Sequence, residues 1–445
     1  MIKLLPKTAA MLAASLLVLS TPACARQAED TISAADLRED IAEWRDWLFA
    51  THPDPSFSMD VETLNARFDS LAAGLEGHYS RRRAWVALSV MNPLFNDGHV
   101  VLRTPQEDYD AYLDTGGAEF TLPVRYADGH IYVAESVAPG SRFAAGEEIH
   151  AINGQAAADI AAQLLVRING DSDGLRIYLL EERFESYLWA LTGGADSWAV
   201  TVSGDDGETR TIALDPARDT GTGSTDNWSL AFDGDAAILT VNTFMPDLEA
   251  DFAAFLETAF ADIAAQGSTR LVIDISHNGG GAHQLSDRLF AYITDTRYTP
   301  LSGVTARITP ENQALIPGSE IGQVVSVPFA QWVEPPAEQE NRFAGDVAIL
   351  VGPGTYSQAI VMAATAQDFD IAPVAGPGTE GRANSTGQVQ LHRLAHSDLE
   401  VTSPIYIFIR ASGDTSSAPV APDIPLSGSR EHQIGQLIDW MRTAE

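Results

Sequence analysis

The chain has 445 residues, is 45% apolar and carries 61 acidic side chains against 27 basic ones. Its length allows two or three domains, and its apolar content excludes global disorder. The formal net charge of −34 argues against nucleic acid or an anionic membrane as partner.

The N-terminus reads as a secretory signal peptide over residues 1–25. Lys3 and Lys7 give a basic start, residues 9–20 are apolar, and Ala23-Cys24-Ala25 is a small-x-small cleavage site. Cleavage there predicts an exported protein, periplasmic or secreted. A lipoprotein anchored through Cys24 is less well supported, because Thr21-Pro22-Ala23 lacks a leucine three residues before the cysteine. Removing the segment removes the single cysteine and both lysines, leaving 25 arginines against 61 acids, a charge of −36. A thiol nucleophile, a disulfide, a cysteine metal site and a lysine base are then all excluded. After residue 25 no apolar run is long enough to span a membrane.

Leu37, Ile41, Trp44 and Leu48 recur at helical spacing and predict a helix over 32–50. Leu64, Phe68, Leu71 and Leu75 predict a second over 61–75, and a third spans 84–91 until Pro93 stops it. Residues 26–110 are expected to form a helical domain that delivers His99, in Asn96-Asp97-Gly98-His99, to the start of a strand. Residues 111–225 change character. Short strands over 120–126 and 131–135 flank the turn Asp128-Gly129. The run Gly146-Glu147-Glu148-Ile149-His150-Ala151-Ile152-Asn153-Gly154 is similar to part of a PDZ domain, so a degenerate, structural PDZ-like module is expected. A helix over 171–192, a hairpin from 198–202 and 209–214, and a Thr/Gly/Asp-rich linker over 215–227 follow.

Residues 226–445 read as α/β. A strand at 238–241, a helix at 248–265 and a buried strand at 271–275 lead into Ser276-His277-Asn278-Gly279-Gly280-Gly281. After a helix over 284–294 comes the proline-rich segment 300–345, expected as a flap. The apolar run 347–351 then breaks at Gly352-Pro353-Gly354, and Ser357 stands before a helix over 358–367. A serine there has two readings. It is a preferred N-cap. It is also a well-placed nucleophile, because the first helical N–H groups are free to meet an oxyanion. Strands near 389–394, 400–402 and 405–409 and a helix over 431–442 close the chain. His277 and His283, without paired carboxylates, make a poor metal set. No cofactor or metal is expected.

Three motifs, in this order, resemble peptidase family S41, the relatives of tail-specific and C-terminal processing proteases and of the tricorn core. They are Asn96-Asp97-Gly98-His99; Leu271-Val272-Ile273-Asp274-Ile275-Ser276-His277-Asn278-Gly279-Gly280-Gly281; and Gly354-Thr355-Tyr356-Ser357-Gln358-Ala359 with Gly376 and Thr379-Glu380-Gly381-Arg382. The resemblance implies an α/β fold with a crotonase- or ClpP-like ββα catalytic core over 226–445, behind the helical domain and the PDZ-like module. It implies Ser357 as nucleophile. Many relatives pair the serine with a lysine 25 residues later; here that residue is Arg382, whose guanidinium stays protonated. The tricorn-like branch uses a histidine and a glutamate instead. His99 fits the base, since an imidazole titrates near neutrality. The glutamate position is Ser416, a potential hydrogen-bond support for His99, and the nearest carboxylate is Asp414, which takes the acidic role. Gly279, Gly280 and Gln358 would supply oxyanion donors, Asp274 would hold the loop, and Arg382 would bind a substrate carboxylate.

The leading expectation is therefore an exported serine hydrolase acting on peptide or protein substrates. The alternative is a weakly active or inactive S41-like protein that binds an apolar ligand or peptide. A CoA enzyme on a crotonase fold conflicts with the signal peptide.

Overall fold

Buried apolar runs of strand length must find partners on both sides. In the computed structural model, which describes residues 31–204, 207–222, 226–329 and 331–443, they do so in one central sheet. The expected signal peptide lies outside the described residues. Strands Ala236–Val241, Arg270–Asp274, Asp346–Leu350, Val374–Gly376 and Ile424–Pro425 run parallel, in that spatial order, with Trp228–Asp233 antiparallel at one edge. Leu239, Ile273 and Ile349 are side-by-side partners in the register. Successive side chains point to opposite faces. Leu271 and Ile273 therefore enter one core, with helices Glu249–Gln266, His283–Ala291 and Gln358–Asp368, while Val272 enters another, under helix Arg430–Thr443. Two buried faces explain why these strands read as continuous apolar runs rather than alternating ones.

Helix Gln358–Asp368 buries every residue from Ala359 to Ala366. A helix apolar on all sides belongs in an interior, so its N-terminus, and Ser357 with it, is held rigidly at the carboxyl ends of the parallel strands.

A second sheet runs Val324–Pro328, Leu301–Arg307, Glu400–Arg410, Thr386–Arg393, with Val101–Leu102 also paired to Glu400–Arg410. The structure thus corrects two expectations. Much of 300–345 is a hairpin of this sheet rather than a flap, and the two strands expected between 400 and 409 are one. The pairing of Val101 with Thr402, and a bond from the Thr402 hydroxyl to the His99 carbonyl (2.9 Å), tie the His99 segment to the C-terminal half.

The third sheet orders Val124–Ala127, His130–Val133, Glu148–Ile152, Ala199–Ser203 and Thr209–Ala213, all antiparallel. The helix expected over 171–192 breaks at Arg183 into Asp173–Glu182 and Phe184–Thr192. Buried residues of the N-terminal helices, this sheet and Leu394, Leu399 and Val401 form one continuous core. Part of the expected linker is anchored: Asp219 is 0% exposed. Its carboxylate accepts from the Ser141 hydroxyl, the Arg142 and Asp215 N–H groups and the Arg142 guanidinium.

Candidate active site

Two adjacent parallel strands, Arg270–Asp274 and Asp346–Leu350, end side by side. The loops leaving them, Ile275–Gly281 and Val351–Ser357, are stitched together. Tyr356 N–H donates to the Asn278 carbonyl (2.9 Å), and the Thr355 hydroxyl donates to the Ile275 carbonyl (2.8 Å). Asp274 holds its loop as expected, accepting from Ser276 N–H at 2.9 Å and pairing with Arg430 at 2.6 Å. The carboxyl ends of parallel strands are the usual ligand side of such a sheet.

Ser357 sits at φ 53°, ψ −122°, and its hydroxyl makes no capping hydrogen bond. The N-cap reading therefore does not describe it. A non-glycine residue in this region stores strain, and the hydroxyl is left uncommitted. Gly280, at φ +99°, lies against it: a Cβ on Gly280 would stand 2.7 Å from Ser357 Cβ and 2.8 Å from Gln358 N. Glycine is required on both counts. The Gly280 N–H is already given to Asn278 Oδ1 at 2.8 Å, so Gly280 contributes close approach rather than an oxyanion donor. The N–H groups of Gly279 and Gln358 have no acceptor among the described residues. Gly279 faces open space, where a Cβ would meet nothing within 4 Å.

His99 comes from a distant part of the chain to pack against the Ser357 loop. Its ring lies 4.9 Å from that of Tyr356, the residue before Ser357. Its Nδ1 is 3.0 Å from the Thr386 hydroxyl, and that hydroxyl is 3.0 Å from both carboxylate oxygens of Asp97. An ionised carboxylate only accepts. The Thr386 proton therefore goes to Asp97, the Thr386 oxygen accepts from His99 Nδ1–H, and Nε2 is left with the lone pair. Asp97 also accepts the His99 backbone N–H at 2.8 Å. Behind it stands His52, fully buried, whose Nδ1 accepts from Asp54 N–H; its Nε2 is thus the protonated nitrogen, 3.9 Å from Asp97 Oδ2. Burial works to raise the Asp97 pKa, but the hydrogen bonds and electrostatic attraction of His52 and His99 outweigh it and hold the carboxyl below its usual range.

Two site assignments made from sequence land elsewhere. Asp414 is exposed, and its carboxylate caps Ser416 through the backbone N–H (2.8 Å) and hydroxyl (2.9 Å). Neither residue bonds to His99; the carboxylate nearest that ring is Asp97, two positions away in the same motif. Arg382 is mostly enclosed, its guanidinium donating to the Asn96 carbonyl at 2.6 Å and lying 3.5 Å from Asp171. It fastens the His99 loop internally, which removes it as a free cation for substrate. Asp171, Tyr356, Thr386 and His52 were missed in the sequence. They join the site across separations of up to 289 residues, and no local pattern marks them. Among the described residues no three His, Cys, Asp or Glu side chains gather as a metal-ligand set.

Residues 235–426 match the model described as peptidase family S41. No curated protein matches the sequence. Among solved structures, mature CPAF complexed with lactacystin is 14% identical, with a TM-score of 0.62 over 92% of this chain and 97% of that one. A CPAF point mutant gives 13% identity and a TM-score of 0.63 over 92% and 96%. At these identities the likeness shows a shared fold. The photosystem II D1 C-terminal processing protease is 18% identical, with a TM-score of 0.47 over 88% and 93%. S41 serine peptidases are hydrolases, and the family implies a peptide or protein substrate. No helix among the described residues is long and apolar enough to cross a membrane.

Proposed function

We propose that this chain is an exported serine peptidase in which Ser357 is the nucleophile and His99 its general base. The observation that carries this reading is the uncapped, strained Ser357 hydroxyl beside Gly280, on a segment packed against a histidine whose Nδ1 is tied through Thr386 to a buried carboxylate. Export is the contribution of the signal-peptide reading of residues 1–25.

Ser357 Oγ attacks the scissile carbonyl carbon while its proton passes to His99 Nε2. The imidazolium so formed keeps Nδ1–H on Thr386, and the Asp97 charge beyond it stabilises that state. The tetrahedral oxyanion accepts from the N–H groups of Gln358 and Gly279. Collapse breaks the C–N bond, and the leaving amine takes the proton from His99. Water then attacks the acyl carbon as His99 takes its proton; collapse breaks the C–O bond to Ser357, whose oxygen takes that proton back from His99. An arginine where many relatives carry lysine is compatible with this scheme, because His99 does the proton transfer.

A fluorophosphonate probe and fluorescein-labelled casein test the proposal together. Wild type should be labelled and should cleave casein, and Ser357→Ala should do neither. Casein cleavage undiminished in Ser357→Ala or His99→Ala would overturn it.

A further inference from the structure

Proximity of a base to its nucleophile has to be enforced by something rigid, because both loops here come from distant parts of the chain. The buried carboxylate of Asp171 touches the residue before each of them. Its Oδ1 accepts the Gly98 N–H at 2.8 Å and the Tyr356 hydroxyl at 2.8 Å; its Oδ2 accepts the Arg382 N–H at 3.0 Å. Gly98 precedes His99, and Tyr356 precedes Ser357. The contact leaves no slack: a Cβ on Gly98 would stand 2.4 Å from the Tyr356 hydroxyl oxygen. The side chain of Asp171 is 5% exposed.

We propose that Asp171 is a positioning residue that sets the placement of His99 relative to Ser357. This rests on the reading of those two residues as base and nucleophile, and it lies outside the matched S41 segment, 235–426.

The surroundings of Asp171 form a cradle for the His99 loop. Asn169 Nδ2 donates to the Gly98 carbonyl at 2.7 Å, so both polar groups of the Gly98 backbone are held from the 169–171 turn. The Arg176 guanidinium donates to Asn96 Oδ1 at 2.7 Å and to the Pro93 carbonyl at 3.0 Å. The Ser172 hydroxyl donates to Glu380 Oε2 at 2.6 Å, tying the same turn to the Glu380-Gly381-Arg382 loop. A carboxylate suits the central place because it only accepts, and three donors converge on it. Burial and the charges of Asp171 and Asp97 keep the Tyr356 phenol protonated, so it remains a donor. An asparagine keeps one oxygen for Gly98 and Tyr356 but turns an NH2 toward the Arg382 N–H, and an alanine loses all three bonds.

The test uses the purified full chain and a fluorophosphonate probe, with the maximal inactivation rate and the probe affinity read separately. Positioning predicts that Asp171→Asn lowers the rate about 100-fold while probe affinity stays unchanged, since a small misplacement of reacting groups costs about that much. Tyr356→Phe, which removes one of the three bonds, should lower the rate by a smaller factor. Combined with Asp171→Ala, Tyr356→Phe should slow the reaction no further than Asp171→Ala alone, because alanine has already broken the Tyr356 contact. A role in stability alone would lower the melting midpoint without this rate pattern. An Asp171→Asn protein that is folded by circular dichroism and reacts at the wild-type rate would overturn the inference. So would rate losses for Asp171→Ala and Tyr356→Phe that multiply when the two are combined. Failure of the underlying reading has a different signature: His99→Ala would then react at the wild-type rate. If Asp171→Ala does not fold, the isosteric variants still decide the matter.

Discussion

Thr386 holds Asp97 by both carboxylate oxygens, its Oγ1 3.0 Å from each. The same oxygen lies 3.0 Å from His99 Nδ1, so a neutral hydroxyl stands between the imidazole and its counter-charge. Thr386 belongs to an outer strand of the second sheet, and Asp97 and His99 to the loop before Val101–Leu102, which pairs with the neighbouring strand Glu400–Arg410. Sheet pairing therefore assembles the relay.

Replacing Thr386 by valine keeps the shape and removes the hydroxyl. Casein cleavage by Thr386→Val should fall about 10- to 100-fold, because His99 loses the bond that fixes its tautomer. Thr386→Ser should recover most of the activity. Equal activity in Thr386→Val and wild type would remove the relay from the mechanism.

Asp414 gives the complementary expectation. Its carboxylate is exposed and spent on Ser416. Asp414→Ala should leave probe labelling and casein cleavage at the wild-type level and change stability by no more than about 0.5 kcal/mol. Loss of labelling in a folded Asp414→Ala protein would restore it to the site.

Ser357 sits at φ 53°, in a region that favours glycine. Strain of this kind costs on the order of 1–3 kcal/mol, and glycine returns part of the gain as unfolded-chain entropy. Ser357→Gly should therefore be inactive yet more stable than Ser357→Ala by about 1 kcal/mol in urea unfolding. The reverse order would show that this backbone is unstrained.

Glu181 supplies a pH-dependent test of the region behind the Asp171 turn. Burial pushes its carboxyl from 4.5 up to about 7, against the pull of the Tyr126 N–H that it accepts at 2.7 Å. The folded state thus binds the proton more tightly than the unfolded state. Stability is full below about pH 4.5, declines as pH rises to about 7, and is level beyond. Glu181→Gln keeps an oxygen for Tyr126 and has no charge to bury. Its melting midpoint should match wild type at pH 4 and exceed it at pH 8. Parallel curves across that range would contradict the shift.

Features that depend on neighbours along the chain are legible in the residues alone. Apolar runs fixed the buried strands Arg270–Asp274 and Asp346–Leu350. The breaks after them marked the two loops that carry Gly279, Gly280 and Ser357. Each of those signals is a local backbone demand, readable within about ten residues. Tertiary structure alone decided which polar groups complete the site. Thr386 meets His99 from 287 positions away, and Asp171 meets Tyr356 from 185. Asp97 was visible in its motif, but its partners appear only when the second sheet closes. Arg382 and Asp414 were misread for the same reason: a sequence shows a charge but not what surrounds it. Strand pairing brings these groups together and removes water from between them, and the hydrogen bonds that then become obligatory follow no sequence spacing.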